Sequence, residues 1–166
     1  MLDAARPVGL HAYAAQVGVT IERVAGESDE IRQLVAELDQ DLSGPYLPEQ
    51  RHALSLDQLF EDNVRFFAAR LDGVAVGCGG VAFYDGYAEV KRMFTRPEAR
   101  GRGLARRLLE ALERVAARLG ARELVLETGV RQEEAIRLYR RAGFEEIPAY
   151  GEYVDSPLSV CMRKLL

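Results

Sequence analysis

A turn rich in glycine and arginine, at residues 96–109, combines residue types that can bind an anion. The turn leads into an amphipathic helix, and the first N–H groups of a helix have no partner within that helix. Gly101 and Gly103 permit positive φ angles and a close approach of the backbone to a ligand. Because helix N-termini and guanidinium groups both favour phosphate, we predict a phosphate-binding site here. The arginines that contribute to it are Arg96, Arg100, Arg102, Arg106 and Arg107.

Two familiar phosphate-binding loops are excluded by their spacing. The P-loop sequence Gly-x-x-x-x-Gly-Lys-Ser/Thr does not occur in the chain. After Gly101 and Gly103, the third position of the dinucleotide-binding fingerprint is Arg106 rather than glycine. The turn must therefore bind phosphate in another structural context.

Length and composition are those of a single globular domain. The 166 residues are 48% apolar, and 26 acidic against 22 basic residues give a net charge of −4, which argues against general nucleic-acid binding. No run of 18 apolar residues could span a membrane and residues 1–18 do not resemble a signal peptide, so we expect a cytoplasmic protein without a membrane partner. Cys78 and Cys161 have no neighbouring Cys or His, so we predict two buried thiols, no disulfide and no metal site.

The strands that must position the turn follow from the hydrophobic pattern. Asp-Gly pairs at 72–73 and 85–86 predict two hairpins, and hence an antiparallel meander of three strands. A helix joins the meander to the next strand, which predicts a parallel pair. The predicted strands are residues 19–24, 64–70, 74–84, 87–95, 122–128 and 159–165.

Helices are predicted from apolar residues at helical spacing and from capping signals. Ser28 is a candidate N-cap, and the sequence Ser55-Leu-Asp-Gln is a capping box that predicts a second, shorter helix. Residues 1–18 show no clear period and are assigned to an N-terminal extension, which leaves residues 19–166 as one domain. The predicted helices are residues 29–42, a segment after Ser55, residues 104–119 and residues 132–142.

This order of elements and two separate motifs resemble the GNAT superfamily of acyl-CoA-dependent N-acyltransferases. The family signature Arg/Gln-x-x-Gly-x-Gly/Ala is matched by Arg100, Gly103 and Ala105. A second stretch, at residues 135–144, reads Ala-Ile-Arg-Leu-Tyr followed by Ala-Gly-Phe. The resemblance covers residues 19–165. It implies an α/β fold with a central mixed, mostly antiparallel sheet of six to seven strands flanked by about four helices.

The resemblance implies acetyl-CoA as the donor of an acetyl group. In the family, backbone N–H groups of the signature turn hold the pyrophosphate of CoA, and a strand that splays from its neighbour pairs with pantetheine. Some members carry Asn where this chain has Gln132, which implies a side-chain contact with the cofactor. The implied CoA-binding residues are Met93, Phe94, Thr95, Arg100, Gly101, Arg102, Gly103, Leu104, Ala105, Arg106, Gln132 and Tyr139.

Acetyl transfer to an amine requires two proton transfers, and the resemblance implies residues for both. An alkylammonium with a pKa of ~10.4 must lose a proton, at a cost of ~4.6 kcal/mol at pH 7, and the thiolate must gain one. Glu89, eleven residues before Arg100, matches the position of a strand general base, and Glu127 is the alternative base. Tyr139 matches the general acid near the CoA sulfur. Alternatively, Glu89 is a surface partner of Lys91 and Tyr139 is a core aromatic.

By the same resemblance, the acceptor binds between the loop at residues 44–54, the strand ends near residues 84 and 87, and the loop at residues 150–157. These segments are rich in tyrosine and carry charges of both signs, including Arg51 and nearby His52. Such a pocket suits a small amine, such as an amino acid, better than a polycation. The candidate substrate-binding residues are Tyr46, Tyr84, Tyr87, Glu127, Tyr150 and Tyr153.

Other functions are compatible with the same sequence. A CoA-binding regulatory or interaction module would keep the turn without catalysis, and a protein N-terminal or lysine acetyltransferase would use the same donor. A nucleic-acid-binding protein would use the basic helix that contains Arg137, Arg140 and Arg141, against the acidic net charge. The final strand either closes the sheet alone or pairs across a homodimer.

Overall fold

A seven-stranded mixed sheet forms the centre of the protein in a computed structural model that describes residues 18–166. The assignment of residues 1–18 to an extension therefore lies outside the described residues, except for Gly18. Along the sheet the strands follow the order β1-β2-β3-β4-β5-β7-β6. They are β1 (Val19–Val24), β2 (Val64–Leu71), β3 (Val74–Tyr84), β4 (Tyr87–Thr95), β5 (Glu123–Gly129), β6 (Glu145–Ile147) and β7 (Ser159–Leu165).

The strand pairing confirms the predicted connections. Strands β1 to β4 are antiparallel, β4 and β5 are parallel, and β7 is antiparallel to both β5 and β6. Strand β6 did not stand out in the sequence, because its three residues Glu-Glu-Ile are too short to show alternation. The prediction of a mixed, mostly antiparallel sheet of six to seven strands is thus confirmed, with seven strands.

Three α-helices are present among residues 18–166: α1 (Asp29–Ser43), α2 (Leu104–Arg118) and α3 (Glu133–Arg141). Ser28 caps α1 as predicted, since its Oγ accepts a hydrogen bond from the backbone N–H of Ile31 at 3.2 Å. The capping box at Ser55 also forms, but it begins a single 3₁₀ turn, Asp57–Phe60, rather than a fourth α-helix. None of these helices is long and apolar enough to cross a membrane.

The sheet is covered on both faces. Helices α2 and α3 pack on one face through a cluster that includes Leu108, Leu112 and Tyr139. Helix α1 packs on the other face through a cluster that includes Ile31 and Leu34. Both cysteines are buried and free, as the sequence predicted.

A bulge bends β4 in the middle of the sheet. The register between β3 and β4 shifts between Cys78 and Gly80, opposite Arg92, which has a φ of 57°. A positive φ is uncommon for a residue with a side chain and costs ~1–3 kcal/mol. The conformation is fixed on both sides, because Arg92 Nη1 lies 2.8 Å from Asp39 Oδ1 on α1 and Cys78 Sγ donates a hydrogen bond to the Arg92 carbonyl oxygen.

The close packing of β3 against β4 gives a prediction at Gly77. A Cβ atom at this position would lie 2.9 Å from the backbone oxygen of Phe94, which cannot move away without distorting β4. We expect Gly77→Ala to lower the free energy of unfolding by ~1–3 kcal/mol in urea denaturation.

The matched control is Gly26→Ala, because Gly26 lies before α1 and a Cβ atom added there would have no neighbour within 4 Å. Its free energy of unfolding should change by less than ~0.5 kcal/mol. Equal effects of the two substitutions would show that the approach of β3 to β4 is not tight.

Candidate active site

A cavity opens where β4 and β5 separate. Parallel pairing joins residues 88–90 of β4 only to residues 124–126 of β5, and the ladder stops at the pair Val90–Leu126. We call the space beyond this pair the inter-strand cavity. Its walls include residues 91–93 of β4, residues 127–129 of β5 and, from the start and interior of α3, Gln132, Ala135 and Tyr139. The divergence of the two strands that the family resemblance implies is therefore present.

The glycine- and arginine-rich turn lies between the end of β4 and the start of α2. Gly101 and Gly103 have φ angles of 76° and 75°, and α2 begins at Leu104. Within residues 18–166, no acceptor is hydrogen-bonded to the six consecutive N–H groups of residues 101–106. Six free N–H donors at a helix start form a site for a multiply charged anion.

The arginines around this turn are mostly engaged with other groups, contrary to the simple prediction of a basic patch. Arg96 forms a bidentate contact with Glu37 on α1, at 2.7 and 3.0 Å. Arg100 donates a hydrogen bond from Nε to the Thr95 carbonyl oxygen at 3.0 Å. Arg106 pairs with Glu110 at 3.0 Å. The groups of the turn that stay available to an anion are therefore the backbone N–H groups and the side chains of Arg102 and Arg107, which have no partner among residues 18–166.

The predicted cofactor residues on β4 have different surroundings. Met93 lines the inter-strand cavity, and its side chain packs against Gly79 of β3. The Phe94 side chain is buried in the apolar cluster under α1, so only its backbone is available to a ligand. Thr95 Oγ1 is buried without a hydrogen-bond partner among residues 18–166. Leu104 is a core residue, which leaves its backbone N–H as its polar contribution to the turn.

Gln132 makes hydrogen bonds within the protein through its side-chain oxygen. Its Oε1 atom accepts hydrogen bonds from Thr128 Oγ1 and from the backbone N–H of Gly129, both at 2.9 Å. The side chain therefore braces the connection between β5 and α3. This oxygen is not free for a cofactor, although the residue lines the cavity.

Glu89 is part of a compact buried cluster with Lys91 and Tyr153. Tyr153 Oη donates a hydrogen bond to Glu89 Oε1 at 2.5 Å, and Lys91 Nζ lies 2.9 Å from the same oxygen and 2.6 Å from Tyr153 Oη. Glu89 and Lys91 are only 4% and 8% exposed, so they are a buried ion pair and not surface partners. Burial and the neighbouring Glu89 carboxylate raise the pKa of Tyr153, which keeps its hydroxyl protonated and able to donate.

Glu127 lies at the end of β5 without an ion-pair partner among the described residues. Its Oε1 accepts a hydrogen bond from Ser159 Oγ at 2.8 Å. Burial raises the pKa of Glu127, and the hydrogen bond from Ser159 offsets this effect only in part. A carboxylate with a raised pKa is closer to the acid–base range in which a general base is most effective.

Tyr139 is both a core residue and a wall of the inter-strand cavity. Its ring packs edge-on against Phe144, with centroids 5.9 Å apart. Its hydroxyl has no hydrogen-bond partner in the described part of the chain. Burial, together with the charge of Glu127, raises the pKa of Tyr139, so the phenol stays protonated and can act as a donor.

A second cavity, of about 490 Å³, adjoins the first, and we call it the tyrosine cavity. Tyr84 contacts Tyr87, Tyr87 contacts Tyr150, and Tyr150 contacts Tyr153, with ring centroids 5.2, 6.2 and 5.2 Å apart. The structure thus brings together four of the five tyrosines that were predicted to bind the substrate. Six residues line both cavities: Arg51, His52, Ala53, Glu89, Lys91 and Tyr153.

Tyr46 is the fifth tyrosine that was predicted to bind the substrate, and its hydroxyl group makes a hydrogen bond within the protein. It is buried, and its Oη accepts a hydrogen bond from the backbone N–H of Arg131 at 2.9 Å. Conversely, Lys91 was not among the candidate site residues. Its position two residues after Glu89, on the same face of a strand, is the sequence signal that could have identified it.

Comparison with known proteins identifies the family of this chain. Residues 31–144 match the model of the acetyltransferase (GNAT) family. The chain is also 45% identical over 150 residues to an IAA acetyltransferase of Azospirillum brasilense, which covers 89% of this chain and 98% of that protein. The protein therefore belongs to the GNAT family of acetyltransferases.

Solved structures share the fold. PaiA N-acetyltransferase of Thermoplasma acidophilum, in complex with coenzyme A, superposes with a TM-score of 0.74 at 18% identity, covering 90% of this chain and 100% of that one. A GNAT family acetyltransferase of Elizabethkingia anophelis with acetyl-CoA bound has a TM-score of 0.66 at 16% identity, covering 91% of this chain and 100% of that one. These similarities place the seven-stranded sheet among GNAT folds.

The two carboxylates of the site should affect stability with opposite signs. Because burial raises the folded-state pKa of Glu127, its charge opposes folding at a pH above that pKa. We expect Glu127→Gln to raise the melting temperature at pH 8. The difference from the wild type should vanish as the pH falls below the unfolded pKa of ~4.3, where the carboxyl is neutral in both states.

Glu89→Gln is the matched comparison. It leaves the buried Lys91 ammonium without its countercharge, so we expect a loss of ~3–5 kcal/mol at the same pH. Calorimetry of both variants at pH 8 and below pH 4 measures the two effects. A lower melting temperature for Glu127→Gln at pH 8 would contradict the proposed effect of burial.

Proposed function

We propose that this GNAT-family protein transfers an acetyl group from acetyl-CoA to the primary amine of a small molecule. The observation that carries the proposal is the row of free N–H groups at residues 101–106, next to a cavity between diverging strands. Two of the solved structures with the same fold contain CoA or acetyl-CoA, and this supports acetyl-CoA as the donor. When bound, acetyl-CoA supplies the acetyl group as an activated thioester.

The chain holds the donor chiefly through its backbone. The N–H groups of residues 101–106 would donate to the pyrophosphate of CoA, and the positive φ angles of Gly101 and Gly103 belong to glycines that allow a close approach of the backbone to a ligand. The edge of β4 that faces β5 has no ladder partner beyond Val90. Its backbone groups are therefore available to the amides of pantetheine.

We assign the general base to Glu127 and the general acid to Tyr139. Glu127 lines the inter-strand cavity and has a raised pKa, so it can take a proton from the ammonium group or from the attacking amine, directly or through water. The sequence prediction instead gave Glu89 as the base and Glu127 as the alternative. The carboxylate of Glu89 already binds Lys91 and Tyr153, so we assign it to positioning these two groups.

Tyr139 completes the proton transfers. Its protonated hydroxyl lines the same cavity as Glu127 and has no internal partner among residues 18–166, so it can donate a proton to the leaving thiolate. The amine nitrogen bonds to the acetyl carbon, the carbon–sulfur bond breaks, and the thiol leaves protonated. The tyrosine cavity, with a volume of about 490 Å³, is of a size that suits a small acceptor.

Binding of the donor is tested with two glycines at opposite ends of α2. Gly103 and Gly120 both have positive φ, at 75° and 90°, and neither has an atom within 4 Å of a Cβ position. Replacement of either by Ala should cost ~1–2 kcal/mol of stability.

Only Gly103→Ala should also weaken CoA binding. CoA at ~100 Kd should stabilise the wild type and Gly120→Ala by ~2.7 kcal/mol, and stabilise Gly103→Ala less at the same concentration. Thermal denaturation with and without CoA measures this. An absent shift in the wild type at millimolar CoA would refute the donor assignment.

The acid–base roles are tested by release of thiol from acetyl-CoA against a panel of candidate acceptors. The panel includes amino acids, polyamines, aminoglycosides, peptides with free N-termini, and IAA, the compound in the name of the Azospirillum brasilense relative. Tyr139→Phe should lower kcat by ~100-fold or more, without loss of stability. Glu127→Gln should lower kcat/KM similarly and remove the acidic limb of its pH profile.

Glu123→Gln is the control, because Glu123 stands at the other end of β5 and pairs loosely with Arg163 at 3.7 Å. The pH profile of kcat/KM of this variant should match that of the wild type. If Tyr139→Phe keeps the wild-type kcat from pH 6 to 10, the general-acid role is wrong. If Glu127→Gln keeps its acidic limb, the base is Glu89 or water.

A further inference from the structure

Arg51 is an arginine at the junction of the two cavities that lacks a countercharge. It follows the 3₁₀ turn Pro48–Gln50 and lines both the inter-strand cavity and the tyrosine cavity. Its Nη1 atom donates to the backbone oxygen of Asp39 at 3.2 Å, whereas its Nε atom is buried without a partner. Among residues 18–166, no carboxylate lies within 4 Å of this guanidinium.

Such an arrangement is costly unless an anion completes it. A buried N–H donor without an acceptor loses its hydration and gains nothing, and the loss is larger when the group is charged. Guanidinium groups bind carboxylates with two parallel hydrogen bonds, in which Nε commonly takes part. Arg51 lines both cavities and has no carboxylate partner among residues 18–166, so its guanidinium group favours a carboxylate of the ligand in this corner.

The negative charges of the tyrosine cavity do not compete for a cationic ligand. Glu89 is the buried carboxylate there, and its charge is matched by Lys91 at 2.9 Å. The side chain of Glu152 is 61% exposed and lies 3.9 Å from the same ammonium. Among the residues that line both cavities, the unmatched charge is thus the positive charge of Arg51, which disfavours a polycation as the acceptor.

Part of the wall of the tyrosine cavity is aromatic. The rings of Tyr84, Tyr87 and Tyr150 contact one another in sequence, and all three residues line the cavity. Aromatic surfaces favour apolar groups and especially other rings, which pack edge-on or offset. An acceptor that reaches from Arg51 to this wall would carry its ring there.

We propose that the acceptor is an α-amino acid with an aromatic side chain. This inference rests on the proposed function, and it names the acceptor class for the same site. Arg51 binds the carboxylate, the tyrosine wall binds the ring, and the amine points past Glu89 and Tyr153 toward the inter-strand cavity. The nitrogen then bonds to the acetyl carbon as the carbon–sulfur bond breaks. Glu127 takes the amine proton, Tyr139 protonates the thiolate, and the products are the N-acetyl amino acid and CoA.

The first experiment compares acceptors that differ only in the carboxylate. Phenylalanine is paired with phenethylamine, and tryptophan with tryptamine, in the thiol-release assay with acetyl-CoA. We expect kcat/KM to be at least ~10-fold higher for each amino acid than for its decarboxylated amine, the discrimination typical of a charge-assisted hydrogen bond. Phenylalanine should also exceed alanine, which lacks the ring.

Substitution of Arg51 assigns this preference to one side chain. Arg51→Gln should lower kcat/KM for the amino acids by at least ~10-fold, mainly through KM, and change it less than ~2-fold for the amines. Arg51→Lys should restore part of the preference. Arg118→Gln, at the last turn of α2 and far from both cavities, is the matched control and should behave as the wild type.

Several results would overturn the inference and leave the proposed function intact. These are equal use of amino acids and amines, acetylation of amines without a carboxylate only, and an equal loss for both acceptor types in Arg51→Gln. The last result would mean that Arg51 supports the fold or the donor, which the thermal shift with CoA in that variant reports separately.

If no acceptor is acetylated, measurements of ligand binding distinguish failure of the proposed function from failure of the further inference. A missing thermal shift with CoA would refute the proposed function. If CoA binds, phenylalanine and phenethylamine are compared as ligands of the CoA-saturated protein. Extra stabilisation by phenylalanine that disappears in Arg51→Gln supports the inference, and equal or absent stabilisation by the two compounds contradicts it.

Discussion

The early end of the ladder between β4 and β5 is the constraint on which the site depends. Unpaired backbone groups inside a sheet are unfavourable unless another partner takes them, so two parallel strands do not separate without a cause. The cause here is the bulge at Arg92, which bends β4 away after Val90. Asp39 on α1 holds the Arg92 side chain, and Cys78 on β3 holds its carbonyl group. Helix α1 and strand β3 therefore stabilise this opening.

Two buried carboxylates beside this opening have different environments. Glu89 has an ammonium group at 2.9 Å and a phenol at 2.5 Å, so its charge is compensated within the cluster. Glu127 has only the Ser159 hydroxyl at 2.8 Å, and burial raises its pKa. One carboxylate therefore organises neighbouring groups, and the other is free to exchange a proton. The difference arises because Glu89 has partners on β4 and on the loop before β7, whereas Glu127 has neither.

Features set by local sequence could be predicted, and contacts between distant segments could not. The Asp72-Gly73 turn, the Ser28 cap and the positive φ angles of the glycine turn depend on a few consecutive residues. The parallel pairing followed from chain connectivity. By contrast, the hydrogen bond from Lys91 to Tyr153 joins residues 62 positions apart, and no periodicity signals it. The roles of the individual site residues and the extension at residues 1–18 stay predictions.

The arginines show most clearly why residue type alone is insufficient. In the sequence, the arginines at residues 92–107 suggest a basic patch for phosphate. In the fold, Arg92, Arg96 and Arg100 approach Asp39, Glu37 and Asp41 on α1, at 2.8, 2.7 and 3.6 Å. These charges attach α1 to β4 and to the turn. Against this pattern of paired arginines, Arg51 is informative because it comes from the loop after α1 and faces a cavity instead of a carboxylate. Its charge is available to a ligand, whereas theirs maintains the shape of the site.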